Sequence, residues 1–288
     1  EIGVRLVGSE MCIRDSPISV RFGDEEFLDG VEITHEEFYT RLAECDELPK
    51  TSQPSPDTFM KVFNEAVAAG DDVLGIFISS DLSGTYQSAC LAALDVEEET
   101  RKKLYMVDSR SASIGTALLI REAVKLRDAG VNVSDIAAAC TEMSKYIKLT
   151  AVVGSLKYLK MGGRLSGAAA FAGTMLHITP VVSIEDGKVV VIGKTRGKKA
   201  AEKLMHDKLI KDGLSLTRDF MFGHINCSES LETFINKSLT YISDVNGNVG
   251  VSSIGCSVGT HVGPGTYGIA YVEAAESGMN RESIVKTA

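Results

Sequence analysis

The sequence contains no tryptophan, and aromatic residues make up 6% of its 288 positions. That argues against a stacking platform for sugars or bases. Basic residues are outnumbered, 30 Lys and Arg against 39 Asp and Glu, giving a formal net charge of −9 and a pI near 5.2. Nucleic acid is disfavoured as a partner, because phosphate binding needs a basic surface. No uninterrupted apolar run approaches the roughly 18 residues of a membrane helix, which leaves peripheral membrane contact only. The six cysteines, Cys12, Cys45, Cys90, Cys140, Cys227 and Cys256, form no CxxC pair, so neither a zinc knuckle nor a redox motif is indicated. With no secretion signal, free thiols in a reducing cytoplasm are the simplest reading. GxGxxG and GxxxxGK[ST] are missing, and Leu82-Ser83-Gly84 lacks the leading glycine of a GxSxG elbow. No paired His or carboxylate spacing suggests a metal.

What remains is an ordinary globular composition, 44% hydrophobic and 24% charged, long enough for two domains or one large one. Asp71 to Ala89, DDVLGIFISSDLSGTYQSA, organises it. Val73 to Ile78 reads as a buried strand, Ser79-Ser80-Asp81 as a turn, and Ser83-Gly84-Thr85 as a helix start. In open α/β sheets ligands bind at this end of a strand. The unpaired N–H groups of the helix start favour an anion there.

Around that stretch, Pro17 to Gly30 reads as two short strands about a Gly-Asp turn. Thr34 caps a helix reaching Ala43, with Glu37 at capping-box spacing. Lys50 to Pro56, with two prolines and three hydroxyls, is read as irregular. Helices are expected over Asp57–Ala69, Ser83–Leu94, Ser113–Ala129 and Val133–Ile147, with a strand at Lys103–Val107. This alternation predicts a largely parallel α/β sheet in the first half. The pattern changes near Leu149. There follow a strand at Thr150–Val153, a short helix before Gly162-Gly163-Arg164, and a small-residue helical stretch, Ser166–Met175. A hairpin then crosses Glu185-Asp186-Gly187. Helices at Lys198–Lys211 and Glu229–Ile242 alternate with strands at Phe220–Ile225, Val249–Ile254 and Tyr267–Val272. Gly259 to Thr266 is read as a glycine-rich turn carrying His261. The expected fold is two α/β domains, 17–149 with a largely parallel sheet and 150–288 an α+β unit with a mixed sheet. Glu1 to Ser16 shows neither period and is set apart as an atypical segment, native or an artefact of assembly.

The candidate site residues each have a plainer reading. Ser55 and Ser83 are good helix caps, Asp108-Ser109 closes a strand, and Arg196 lies in a basic cluster that a solvated face explains. Three polar strand ends on one sheet edge say more than any one of them. His261 stands among three glycines and a proline, where backbone and imidazole can approach a ligand. Arg164 could fork a phosphate or carboxylate.

Taken together, these segments resemble the DegV family of bacterial fatty-acid-binding proteins. The resemblance lies in Thr51-Ser52-Gln53-Pro54-Ser55, Ser79 to Ala89, Val107-Asp108-Ser109, Leu156-Lys157-Tyr158-Leu159 with Gly162-Gly163-Arg164, and Thr260-His261-Val262-Gly263-Pro264-Gly265. It covers about Pro17 to Val272. It implies a long-chain fatty acid between two domains as the bound ligand, with no further cofactor. The carboxylate would be held by Thr51 and Ser83, with the Gly84 amide nearby. His261 and Arg196 would serve phosphoryl transfer or a partner, an ATP-dependent fatty-acid kinase. Ser52, Ser55, Ser80, Asp108, Ser109, Gly163 and Arg164 would line or support the pocket. Family members usually begin with a strand ending in a TDS-type motif, which Glu1 to Ser16 does not match. Thr179-Pro180 stands where Lys-Pro is common. Burying roughly 14 methylenes at about 0.8 kcal/mol each supplies about 11 kcal/mol gross, reduced by association costs. Ser166 to Thr174 and Ile114 to Leu126 would line the tunnel. Two alternatives stand beside this reading: a stand-alone acyl hydrolase or transferase using Ser83 and His261, and a regulatory lipid-binding protein.

Overall fold

The computed structural model describes residues 17–45, 47–167, 178–213, 218–240 and 247–274. The segment 1–16 and residues 168–175 of the small-residue stretch lie outside them. In chain order the elements are β1 (Ser19–Phe22), β2 (Glu25–Leu28), α1 (His35–Glu44), β3 (Lys50–Ser52), α2 (Pro56–Ala68), β4 (Val73–Phe77), α3 (Thr85–Thr100) and β5 (Leu104–Asp108). There follow α4 (Ile114–Asp128), α5 (Val133–Met143), β6 (Ile147–Val152), α6 (Lys157–Met161), β7 (Thr179–Glu185) and β8 (Lys188–Thr195). The last are α7 (Lys198–Asp212), β9 (Phe220–His224), α8 (Ser228–Ser238), β10 (Val249–Ser253), α9 (Cys256–Val262) and β11 (Tyr267–Val272).

Local chemistry accounts for many of the boundaries. Thr34 Oγ1 accepts the Glu37 N–H at 3.2 Å and starts α1. Ser55 Oγ accepts the Thr58 N–H, and Pro56 takes the first position of α2, where its missing N–H costs nothing. Asp186 and Gly187 both have positive φ, 49° and 81°, so the β7–β8 hairpin turns with the native strand twist. α3 runs past Leu94 to Thr100, because Ala89, Ala92, Ala93 and Val96 continue its inner face.

The sheets depart from the expected parallel layout. Among the described residues only β4 and β5 pair in parallel in the first half, and β1 joins β2 and β3 antiparallel. A six-stranded mixed sheet runs β10-β9-β11-β6-β7-β8, in which only β10 and β9 are parallel. Residues 149 and 150, where the sequence suggested a boundary, are neighbours inside β6.

The core explains how the sheets are joined. α4 carries Leu118 and Leu119 into one cluster with Leu74 and Ile76 of β4 and with Met221 and Ala270 of the large sheet. Fully burying a side chain of this size contributes about 1.5–3 kcal/mol, so α4 ties the parallel pair to the large sheet. Val20, Phe38 and Tyr39 from the start of the chain pack with Ile225, Ile254 and Cys256 near its end. Tyr39 Oη donates to the carbonyl of Ile254 at 2.9 Å. Among the described residues, no helix is long and apolar enough to cross a membrane.

Candidate functional site

Where β3, the β4–α3 turn, α9 and strands β6 to β8 converge, they leave a cavity. Its wall is apolar over most of its extent, including Ile78, Leu82, Leu149, Val182, Ile184 and Val189. The empty space is about 1270 Å³ with its open mouth included. Its polar lining includes Thr51, Gln53, Ser83, Arg164 and His261.

These groups are brought together from distant parts of the chain. β3 alternates exposed, half-buried, exposed, so Thr51 turns inward while Lys50 and Ser52 face out. Thr51 Oγ1 and His261 Nε2 are 3.0 Å apart. Ser83 Oγ accepts the Thr85 N–H at 3.3 Å and lies 2.8 Å from the Thr85 hydroxyl. α3 begins there, and its first-turn amides and positive end suit an anion. Arg164 Nη1 donates to the Gly162 carbonyl at 2.6 Å and Nε to the Leu82 carbonyl at 3.2 Å, which fixes its guanidinium. Ser88 Oγ donates to the Pro54 carbonyl at 2.9 Å and ties α3 to the TSQPS loop.

Two glycines lie close to side chains of the site. A methyl group on Gly162 would lie 2.3 Å from His261 Nδ1, and one on Gly84 would lie 2.4 Å from Gln53 Oε1. Burial, and secondarily the charge of Arg164, push the His261 pKa down to about 4, so the imidazole is neutral near pH 7. Its Nδ1 is buried without a hydrogen-bond partner.

The other predicted residues are placed as follows. Ser55 caps α2. The Ser80 N–H faces both Asp108 carboxylate oxygens at 3.3 Å, and Asp108 Oδ1 also accepts the Arg110 N–H at 2.8 Å. Ser109 is fully buried, with its hydroxyl 2.9 Å from that of Thr116. These groups hold the β4 and β5 ends together. Gly163 takes φ 71° just after α6. Arg196 is exposed beside the start of α7. Of Ile114 to Leu126, Ile114 is in the cavity wall, after Ala112 and Ser113, whereas Leu118, Leu119, Ala123 and Leu126 are in the core. Two features correct the sequence reading. Lys50 to Ser52 is a strand, and His261 sits in the helix α9 instead of a loop. Gln53 and Ser257 are cavity residues that the motifs did not single out.

Ser83 and His261 do not form a nucleophile–base pair here, since the Ser83 hydroxyl meets Thr85 and the His261 Nε2 meets Thr51. Asp29, His35 and Cys256 place metal-type ligand atoms within 4.8 Å of one another. The Asp29 carboxylate, however, already accepts the N–H groups of Cys256 at 3.1 Å and Ser257 at 2.7 Å, and so clamps the start of α9.

Comparison with known proteins bears on the whole chain. A family model described as "Uncharacterised protein, DegV family" matches residues 12–274. A DegV domain-containing protein of Clostridium acetobutylicum is 36% identical over 264 residues, spanning 88% of each chain. A solved structure from Thermus thermophilus, described as showing fatty acid binding of a DegV family protein, superposes with a TM-score of 0.80 at 31% identity. It covers 91% of this chain and 92% of the other. The Fatty Acid Kinase (Fak) B3 protein of Streptococcus pneumoniae, solved loaded with linoleic acid, has a TM-score of 0.81 at 22% identity over 91% and 92% of the two chains, a likeness of fold. On the family match and the curated relative alike, this chain belongs to the DegV family.

Proposed function

We propose that this protein binds one long-chain fatty acid in the cavity, with its carboxylate at the Thr51, Ser83 and Gly84 end, and presents that carboxylate to a separate ATP-dependent kinase. The observation that carries the reading is a single cavity with a long apolar wall and a set of neutral hydroxyls at a helix start. Apolar burial supplies affinity. The hydroxyls and the α3 amides satisfy a carboxylate that would otherwise be costly to desolvate. A neutral imidazole 3.0 Å from Thr51 Oγ1 suits a part in the transfer step beside that head group. The fatty-acid-binding DegV protein of Thermus thermophilus supports the ligand class. The kinase role follows the resemblance of His261 and Arg196 to positions that the family uses for phosphoryl transfer or partner engagement. The hydroxyl partners described above disfavour the hydrolase alternative.

Native mass spectrometry of protein expressed in bacteria tests the ligand. A mass increment of a C14–C18 acid is expected. A clean unliganded mass with no uptake of added oleate overturns the proposal. For the second half, His261→Ala is expected to retain oleate while acyl-phosphate formation with an added fatty-acid kinase falls. Loss of oleate binding instead would assign His261 to the pocket alone.

A further inference from the structure

Several hydroxyls of the cavity wall have protein partners. Thr51 meets His261, Ser83 meets Thr85, and Thr266 Oγ1 donates to the Gly263 carbonyl at 3.0 Å. Ser257 is different. It belongs to the cavity wall and is 4% exposed, and its Oγ is buried without a hydrogen-bond partner. Such an orphan is destabilising, because its lost hydration is not replaced, and each one in a native structure calls for an explanation. The backbone is not loose at this point, because Asp29 holds the N–H groups of Cys256 and Ser257.

Ser257 and His261 are four residues apart in α9, so they share one face of the helix, one turn of about 5.4 Å apart. Val258 and Val262 line the cavity beside them, and Ile18, Ile225 and Ile254 belong to the same wall. His261 marks the polar end. Ser257 therefore adds a second polar atom about one turn from that end, in a wall that also carries these apolar residues.

We propose that Ser257 is a specificity residue for a long-chain acid carrying a hydroxyl on the carboxyl-proximal part of its chain. This rests on the fatty-acid reading above. A plain methylene chain leaves the Ser257 hydroxyl unsatisfied, whereas a ligand hydroxyl offers it both a donor and an acceptor. A site that hydrogen-bonds a ligand hydroxyl discriminates against the analogue lacking it more sharply than an apolar wall separates chains by one methylene.

The test is calorimetric titration of the delipidated full chain with palmitate and with 3-, 6- and 16-hydroxypalmitate. One of the two proximal isomers is expected to bind about 10-fold tighter than palmitate, with no such gain for the 16-isomer. Ser257→Ala is expected to collapse that ratio toward one. Palmitate binding with no isomer preferred overturns the proposal and leaves the fatty-acid reading standing. A preference that survives in Ser257→Ala also overturns it. An ordered water on Ser257 in the palmitate complex, with no isomer preference, assigns the hydroxyl to a structural water and overturns it as well. If neither palmitate nor any isomer binds, the fatty-acid reading fails and the proposal falls with it.

Discussion

Three histidines have pKa values lowered chiefly by burial, and two of them, the buried His206 and the half-buried His261, have surroundings that differ in kind. His206, in α7, stacks on Phe234 with ring centroids 5.2 Å apart, and its Nε2 lies 2.9 Å from Ser238 Oγ. Close by, Glu202 accepts from Lys237 at 2.6 Å and from Tyr267 at 3.0 Å. His261 has Thr51 on one ring nitrogen and no partner on the other, and it faces a cavity. The first arrangement satisfies its polar groups with protein and so belongs to stability. The second leaves His261 Nδ1 and Ser257 Oγ without a hydrogen-bond partner in residues that line a cavity. Burial or a shifted pKa alone would not have separated the two.

Substitutions can break that division. Phe234→Ala removes a fully buried ring from the His206 side and is expected to cost about 3–5 kcal/mol of stability, read from urea unfolding. Oleate affinity of the folded fraction should change by less than about twofold. Loss of affinity with intact stability would reverse the assignment.

The next effect concerns pH. The folded His261 titrates near 4 and the unfolded chain near 6.5, so between those values the unfolded state takes up a proton that the native state refuses. This contribution to stability is full above about pH 6.5 and is lost as pH falls toward 4, by up to about 3 kcal/mol. His261→Gln should flatten that part of the stability profile. An unchanged slope would show that the imidazole is not held neutral.

Smaller effects are expected at the carboxylate end. Thr51→Ala and Ser83→Ala should each weaken oleate about 10-fold while moving stability by less than about 1 kcal/mol, and the double variant should lose at least the sum. Wild-type affinity in the double variant would detach these hydroxyls from the ligand. Arg196→Ala should be the mildest, leaving oleate affinity within about twofold and reducing only kinase-dependent turnover. A large loss of oleate affinity would bring Arg196 into the pocket.

Much of this was legible along the chain wherever the determinant is local. Thr34 and Ser55 announce α1 and α2, Asp186-Gly187 announces the hairpin, and the apolar run from Val73 announces β4. What escaped depends on distant partners. β3 is extended because β1 pairs with Lys50 to Ser52, while Pro54 and Pro56 made the neighbourhood look irregular. Val133 to Ile147 read as one helix, yet Ile147 opens β6 opposite Val272. Gly259 suggested a turn, but its task is packing. A methyl group there would lie 2.3 Å from Tyr39 Oη, so glycine lets α9 lie against α1. Strand–helix alternation is likewise local and could not say which strands pair, so the parallel sheet shrank to β4 and β5. In the site, Thr51, Ser83, Arg164 and His261 were visible as motif residues and share one cavity. Gln53 looked like a loop residue, because only the fold lays its amide over Gly84. Ser257 carried no sequence signal, since an unpartnered hydroxyl is a property of three-dimensional packing.

On the function proposed above, a fatty acid lies in this cavity with its head group at the Thr51–Ser83 end. A crystal structure of the protein with oleate tests it most directly. The predicted result places the carboxylate oxygens about 2.5–3.0 Å from Thr51 Oγ1 and Ser83 Oγ, with the chain along Leu149, Val182 and Ile184. A chain lying in the reverse direction, or oleate bound elsewhere with the cavity empty, would contradict it.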